Sequence, residues 1–142
     1  MRLIKYILPI ILLMPLASDA QCRAFTKNRC LPLLEGYVQN DNYNSAMLVP
    51  GDEAELLLTF YGGKEYRMVL CAHPILGRVD FEVSDTNGDS IYKGNSEEGQ
   101  VFEFKMANTQ QLIVKIMVPK QQSAVSSHEG CVSVMLGSKE LK

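Results

Sequence analysis

The chain has no tryptophan, two histidines (His73 and His128) and four cysteines in 142 residues. Each scarcity narrows the function. A nucleophilic triad or dyad needs a histidine beside a nucleophile and an orienting carboxylate. His73 precedes Pro74 in a loop-like stretch, and His128 sits in Ser126-Ser127-His128-Glu129. Neither belongs to a Gly-x-Ser-x-Gly elbow or a His-Glu-x-x-His helix. Without tryptophan, a domain of this size has little material for a saccharide cleft. Positive charge is not in excess either, since 14 Lys+Arg face 16 Asp+Glu. That balance argues against nucleic acid, and no glycine-rich phosphate loop or basic–aromatic interleaving is present. What remains, 46% hydrophobic and 21% charged, describes one folded domain and not a disordered chain.

No apolar run is long enough to span a bilayer. The longest covers residues 6–16, is interrupted by Pro9 and Pro15, and follows Arg2 and Lys5. A spanning helix needs about 20 residues, and each proline removes a helix donor. With Ser18-Asp19-Ala20 closing the segment, residues 1–20 read as a cleaved secretory signal peptide. A lipoprotein is the rival, because Cys22 follows closely. Gln21 directly before it and Asp19 three before it do not suit lipid attachment. The expectation is cleavage after Ala20, a new N-terminal Gln21 able to cyclise, and a secreted or periplasmic protein with no stable membrane insertion. Twelve basic and fifteen acidic residues then remain, a mild negative charge that steers toward no particular partner.

Cys22, Cys30, Cys71 and Cys131 all survive that cleavage. An even number in an exported chain reads as disulfides, with three possible connectivities. Zinc is the rival, yet no pair has the close Cys-x2–4-Cys spacing of structural sites. Cys71 ends one strand-like run and Cys131 begins another, so Cys71–Cys131 is the expected bridge, closing about 60 residues for roughly 4 kcal/mol. Cys22–Cys30 follows by elimination. A helix over 24–31 would hold those Cα atoms about 12 Å apart, so this pair requires an irregular start.

After Pro50 the apolar period is two. Leu56, Leu58 and Phe60 alternate with polar neighbours, Gly62-Gly63-Lys64 reverses the chain, and Tyr66, Met68 and Leu70 continue, the pattern of a β-hairpin. Val79, Phe81 and Val83 form another strand, followed by the turn Asp85-Thr86-Asn87-Gly88-Asp89 and a short strand over 90–93. Further strands fall at 101–106, 111–118 and 131–136, with one more possible at 46–49. Turns at regular intervals and no helical window predict an all-β antiparallel sandwich of jelly-roll type over 46–138, with a barrel as the alternative. Residues 21–45 read as a short N-terminal helix or coil, broken at Pro32, plus a polar link, both packed on the sandwich. Residues 120–129 form a Gln/Ser-rich loop.

Two patterns invite a binding role. Asp85, Asn87 and Asp89 place oxygen-bearing side chains at alternate positions, as a calcium loop begins. Gly88 and Glu98 fall outside the positions an EF-type loop demands, and the same residues suit a tight turn. Tyr61, Tyr66 and Tyr92 lie at strand positions, either packing across strands or forming a ligand platform.

The stretches Glu53-Ala54-Glu55-Leu56, Phe60-Tyr61-Gly62-Gly63-Lys64-Glu65-Tyr66-Arg67 and Gly130-Cys131-Val132-Ser133-Val134 resemble small exported proteins of the Bacteroidetes group. The strand–turn rhythm is more distantly similar to pre-peptidase C-terminal β-sandwiches, accessory domains found beside secreted hydrolases. Both resemblances imply a β-sandwich, and neither supplies a functional motif. With no assembled chemistry, the expectation is an exported non-enzymatic protein with no cofactor. Its partner would be a protein or glycan at the cell envelope. The alternative is a small secreted protease inhibitor inserting the loop at 73–77 or at 119–130, and a hydrolase built on His73 or His128 ranks behind both.

Overall fold

The computed structural model describes residues 17–39, 44–120 and 128–141, with side chains described from Gln21 onward. The expected leader lies outside these residues except for 17–20, which form the first turn of a helix, α1 (Ala17–Phe25). A π-helical turn (Thr26–Cys30) and a 3-10 turn (Leu31–Leu34) extend α1, the latter carrying Pro32 near its start where the missing N–H is harmless.

Nine strands follow: β1 (Val38–Gln39), β2 (Asn44–Leu48), β3 (Glu53–Phe60), β4 (Lys64–Ala72), β5 (Asp80–Asp85), β6 (Ser90–Asn95), β7 (Val101–Met106), β8 (Gln110–Met117) and β9 (Gly130–Glu140). They form two antiparallel sheets, as the period-two pattern predicts. The first has the order β1-β9-β4-β7, with β2 also pairing β9, and the second runs β3-β8-β5-β6. Between the sheets lies the main core, built from the inward residues of each strand. Phe60, Leu112, Val114, Phe81 and Val83 of the second sheet meet Tyr66, Met68, Leu70, Val132 and Val134 of the first.

The glycine pair at 62–63 does not make the expected hairpin. β3 pairs with β8 and β4 with β7 and β9, so the turn is an arch that carries the chain between sheets. The backbone hydrogen bonds show why. The Gly63 N–H donates to Met106 O (2.7 Å), and the Tyr61 N–H donates to the Tyr66 hydroxyl (2.7 Å). Phe60 and Tyr66 then face each other across the core, edge to face at 4.9 Å. Gly62 is needed because a Cβ there would stand 2.8 Å from Ala107 O in the neighbouring β7–β8 arch. Among the described residues from β2 onward, β5–β6 is the one hairpin, and every other connection changes sheets.

The outward side of the first sheet is also covered. Val69, Cys71 and Met135 form a second apolar cluster with Cys30 and Leu34, flanked by Phe25 and Leu33. Two disulfides fasten the helical segment there, Cys22–Cys131 and Cys30–Cys71, with Cα separations of 5.4 and 5.8 Å. The expected pairs Cys71–Cys131 and Cys22–Cys30 are therefore both incorrect. Cys71 stands opposite Ser133, so Cys131 is its diagonal neighbour two residues along. Diagonal neighbours lie roughly 7–8 Å apart, beyond the Cα separation of about 7 Å that a disulfide spans. Continuous helical structure from Cys22 to Cys30 excludes the other pair. Engagement of Cys22 with Cys131 also leaves it no thiol for lipid attachment.

Buried polar groups on this side are matched. The Thr26 hydroxyl donates to Cys22 O (2.7 Å), so the Ser133 hydroxyl must be the donor in its hydrogen bond to Thr26. Arg67 donates to Leu33 O (2.9 Å), pairs with Glu103 and lies 4.4 Å from the Tyr37 ring centre, pinning the end of the helical segment.

Candidate functional site

The strand registers sort the candidate residues onto opposite ends of the sandwich. One end holds the β3–β4 and β7–β8 arches and the β5–β6 turn with Asp85, Asn87 and Asp89. The other holds the β2–β3, β4–β5 and β6–β7 connections and the described ends of the one between β8 and β9, with His73 and His128. The histidines and the acidic turn thus cannot join in one site.

At the acidic turn, Asp85 closes the hairpin on itself. Its Oδ1 accepts the N–H groups of Asn87 and Asp89, each at 2.9 Å, while its carbonyl accepts Gly88 N–H at 3.1 Å. Gly88 takes φ +90°, the conformation this turn requires. Among the described residues, no three His, Cys, Asp or Glu side chains are grouped to hold a metal ion.

The tyrosines do not share a face. Tyr66 is buried in the core, and Tyr92 stacks on Phe102 at 4.2 Å while donating its hydroxyl to Gly99 O. Tyr61 alone of the three is exposed, at the β3–β4 arch.

The histidine-bearing end is more organised. His73 leads into a 3-10 turn, Pro74–Leu76, that is tied at several points. The His73 N–H donates to Cys131 O (2.8 Å), and its Nδ1 accepts the Ile75 N–H (3.1 Å). Leu76 N–H donates to His73 O and Gly77 N–H to Pro74 O, each at 3.0 Å. Leu76 is buried and anchors the turn in the core, whereas Ile75 is 39% exposed, the large apolar side chain that this turn shows to solvent, with its Cγ2 lying beside Gly130. Gly130 closes the other side, because a Cβ there would stand 2.7 Å from Leu76 Cγ. The Cys22–Cys131 disulfide lies directly beneath, and Phe25 of α1 packs on the His73 ring at 5.9 Å. Here His73 serves to shape a loop.

Beside this loop runs a groove of about 270 Å³ between the helical segment and the β6–β7 connection, lined by Phe25, Arg29, Leu33, Pro74, Ser96 and Gln100. Sequence reasoning singled out the loop at 73–77 but not Ile75 as its exposed apolar side chain, nor Arg29 and Gln100 as its neighbours. Those follow only from where the disulfides place the helical segment. The other proposed inserting loop, 119–130, is described at 119–120 and 128–130, and its middle lies outside the described residues.

A second, wider depression of about 490 Å³ lies on the outward face of the second sheet, where Arg78, Asp80, Glu82, Lys93 and Asn95 surround Met117. No helix among the described residues is long and apolar enough to cross a membrane.

No family model matches the chain, and no curated protein matches it in sequence. Solved structures do resemble it. A periplasmic inhibitor of g-type lysozyme from Aeromonas hydrophila, PliG, is 10% identical over 74% of this chain and 90% of its own, with a TM-score of 0.50. A designed double-stranded β-helix is 15% identical over 69% of this chain and 99% of its own, with a TM-score of 0.33. The CBM36-1 domain of a multidomain xylanase from the hindgut metagenome of Trinervitermes trinervoides is 10% identical over 77% and 94%, with a TM-score of 0.36. Of the resemblance drawn from the sequence, the β-sandwich agrees with the likeness to PliG, while neither the Bacteroidetes group nor the pre-peptidase C-terminal domains find a match. At such identities the likeness is one of fold: the chain is an antiparallel β-sandwich carrying a short helical segment.

Proposed function

We propose that this is an exported, non-enzymatic binding protein whose partner at the cell envelope is another protein, engaged through the disulfide-backed loop at 73–77. The carrying observation is the loop itself. An exposed apolar residue, Ile75, is presented on a turn whose backbone is hydrogen-bonded at both ends and whose base is cross-linked. Such a segment loses little conformational entropy on binding, which is where rigid inhibitor loops gain their affinity. Two disulfides suit an oxidising compartment, in keeping with an exported chain. The fold it shares with a lysozyme inhibitor fits a protein partner and widens the inhibitor alternative from proteases to glycan-cleaving enzymes. A glycan partner has less support, since Tyr66 and Tyr92 are committed to packing and Tyr61 stands alone at the end of the sandwich opposite this loop, so the three form no platform for a sugar.

The test is inhibition of a panel of c-, g- and i-type lysozymes and of serine, cysteine and metalloproteases by the oxidised protein at micromolar concentration. At least one enzyme should be slowed, and Ile75→Asp should weaken that inhibition tenfold or more, about 1.4 kcal/mol or greater. Full activity across the panel, with no saturable binding to any member, would overturn the reading. So would inhibition that Ile75→Asp leaves untouched.

A further inference from the structure

The outward face of the second sheet carries a row of charged side chains in register across all four strands. Glu55 of β3 pairs with Lys115 of β8, Lys115 with Glu82 of β5, and Glu82 with Lys93 of β6. The signs read minus, plus, minus, plus. Among the described residues Glu55, Glu82 and Lys93 close no ion pair of their own, and Lys115 reaches sideways to Glu53 at 3.5 Å. These charges are therefore left facing outward.

An alternating row of even length is complementary to its own reverse. We propose that two copies of this protein associate through this face, about a two-fold axis parallel to the strands and lying between β8 and β5. The operation sets β3 against β6 of the second copy and β8 against β5. Glu55 then meets Lys93 of the second copy, and Lys115 meets Glu82 of the second copy. The contact is isologous, each pair occurring twice.

Two further rows agree with the same axis. Next along the strands, Leu57 lies opposite Ile113, which lies opposite Ser84, and Ile91 sits at the β5–β6 bulge beside Ser84. Leu57 is 60% and Ile91 48% exposed, at opposite edges of the sheet. The two-fold brings Leu57 of each copy onto Ile91 of the other, covering both. On the other side the row Glu53–Met117–Asp80–Asn95 places Glu53 against Asn95 and Met117 against Asp80, so no like charges are opposed. Four strands spaced about 4.8 Å apart and six to eight residues long give a face of about 19 by 24 Å. That is about 450 Å² on each copy and about 900 Å² in total, below the roughly 1,200 Å² of the smaller stable interfaces and the scale of a weak, concentration-dependent association. The loop at 73–77 belongs to an end of the sandwich and stays clear, so this inference stands apart from the binding role proposed above.

Sedimentation equilibrium of the oxidised protein tests it, over micromolar to millimolar concentration at low salt and at about 1 M salt, where the Debye length is ~3 Å. A concentration-dependent dimer that weakens with salt is expected. Lys93→Glu and Glu55→Lys, both at exposed positions that leave the core intact, should each weaken association at least tenfold by setting like charges together twice. Mixed in equal amounts, the two variants should form a heterodimer, because every position in the row is then complementary. Glu55→Lys/Lys93→Glu in one chain should restore the homodimer for the same reason. A monomer at all concentrations, a dimer indifferent to either single change, or a mixture that stays monomeric would each overturn the proposal.

Discussion

The two sheets bury their inner faces alike and treat their outer faces oppositely. Outside the first sheet lie Val69, Cys71, Ser133 and Met135, all under the helical segment and its two cross-links. Outside the second lie Glu55, Leu57, Lys93 and their neighbours, facing water. The first sheet's central strands are thus coated on both sides, so β9 is buried at every residue from Gly130 to Ser138. The second keeps inward–outward alternation outside the β5–β6 bulge, with β3 alternating between exposed and half-buried residues up to Phe60. One sheet bears stability and holds a loop still, and the other is free to make contacts.

Unfastening the helical cover should have the largest effect. Cys22–Cys131 spans 109 residues and Cys30–Cys71 spans 41. In the chain-entropy model their loss costs about 5 and about 4 kcal/mol. Cys22→Ser/Cys131→Ser should lower stability more than Cys30→Ser/Cys71→Ser in denaturant unfolding of the oxidised proteins. Equal small losses for both would mean that apolar packing alone holds the segment down.

Next in size is a paired truncation that reads the two outer faces directly. Met135 is fully buried beneath the cover, and Met135→Ala should cost about 2–4 kcal/mol through lost burial and the cavity left behind. Leu57 is 60% exposed on the open face, and Leu57→Ala should change stability by less than about 0.5 kcal/mol. Both belong in denaturant titrations at concentrations low enough to keep copies apart. Comparable costs at the two positions would erase the distinction between the faces.

Much of this asymmetry is legible in the residues. Alternation at Val79–Phe81–Val83 and Leu112–Val114–Ile116 reveals strands with one wet side, and the unbroken apolar run from Met68 to Cys71 marks a strand covered on both. Disulfide partners are not legible, because Cys71 and Cys131 end up on the same face of adjacent strands but one diagonal step apart. A sequence reveals that both lie on strands, not that the helix supplies each with a closer partner. The Gly62-Gly63 turn misleads for a similar reason. Two glycines permit a hairpin and an arch equally, and the choice is made by Met106 O and the Tyr66 hydroxyl, which the fold brings from elsewhere. The exposure of Ile75 was hidden too, since it depends on Leu76 finding the core first.

A smaller effect than truncating Met135 belongs to the hydroxyl pair buried in the covered face. Thr26 and Ser133 are both inaccessible to solvent, and among the described residues their hydroxyls bond to each other and to Cys22 O. Thr26→Val keeps the shape but strips Ser133 of its acceptor, leaving a buried hydroxyl unpaired at a cost of about 1–3 kcal/mol. Replacing both, Thr26→Val with Ser133→Ala, removes donor and acceptor together and should recover much of that loss. A double-mutant cycle in denaturant therefore has a definite sign: the double variant should be more stable than the two single costs add up to. If the costs simply add, the hydroxyl pair is not coupled, and the helical segment is held to the first sheet by its disulfides and apolar contacts alone.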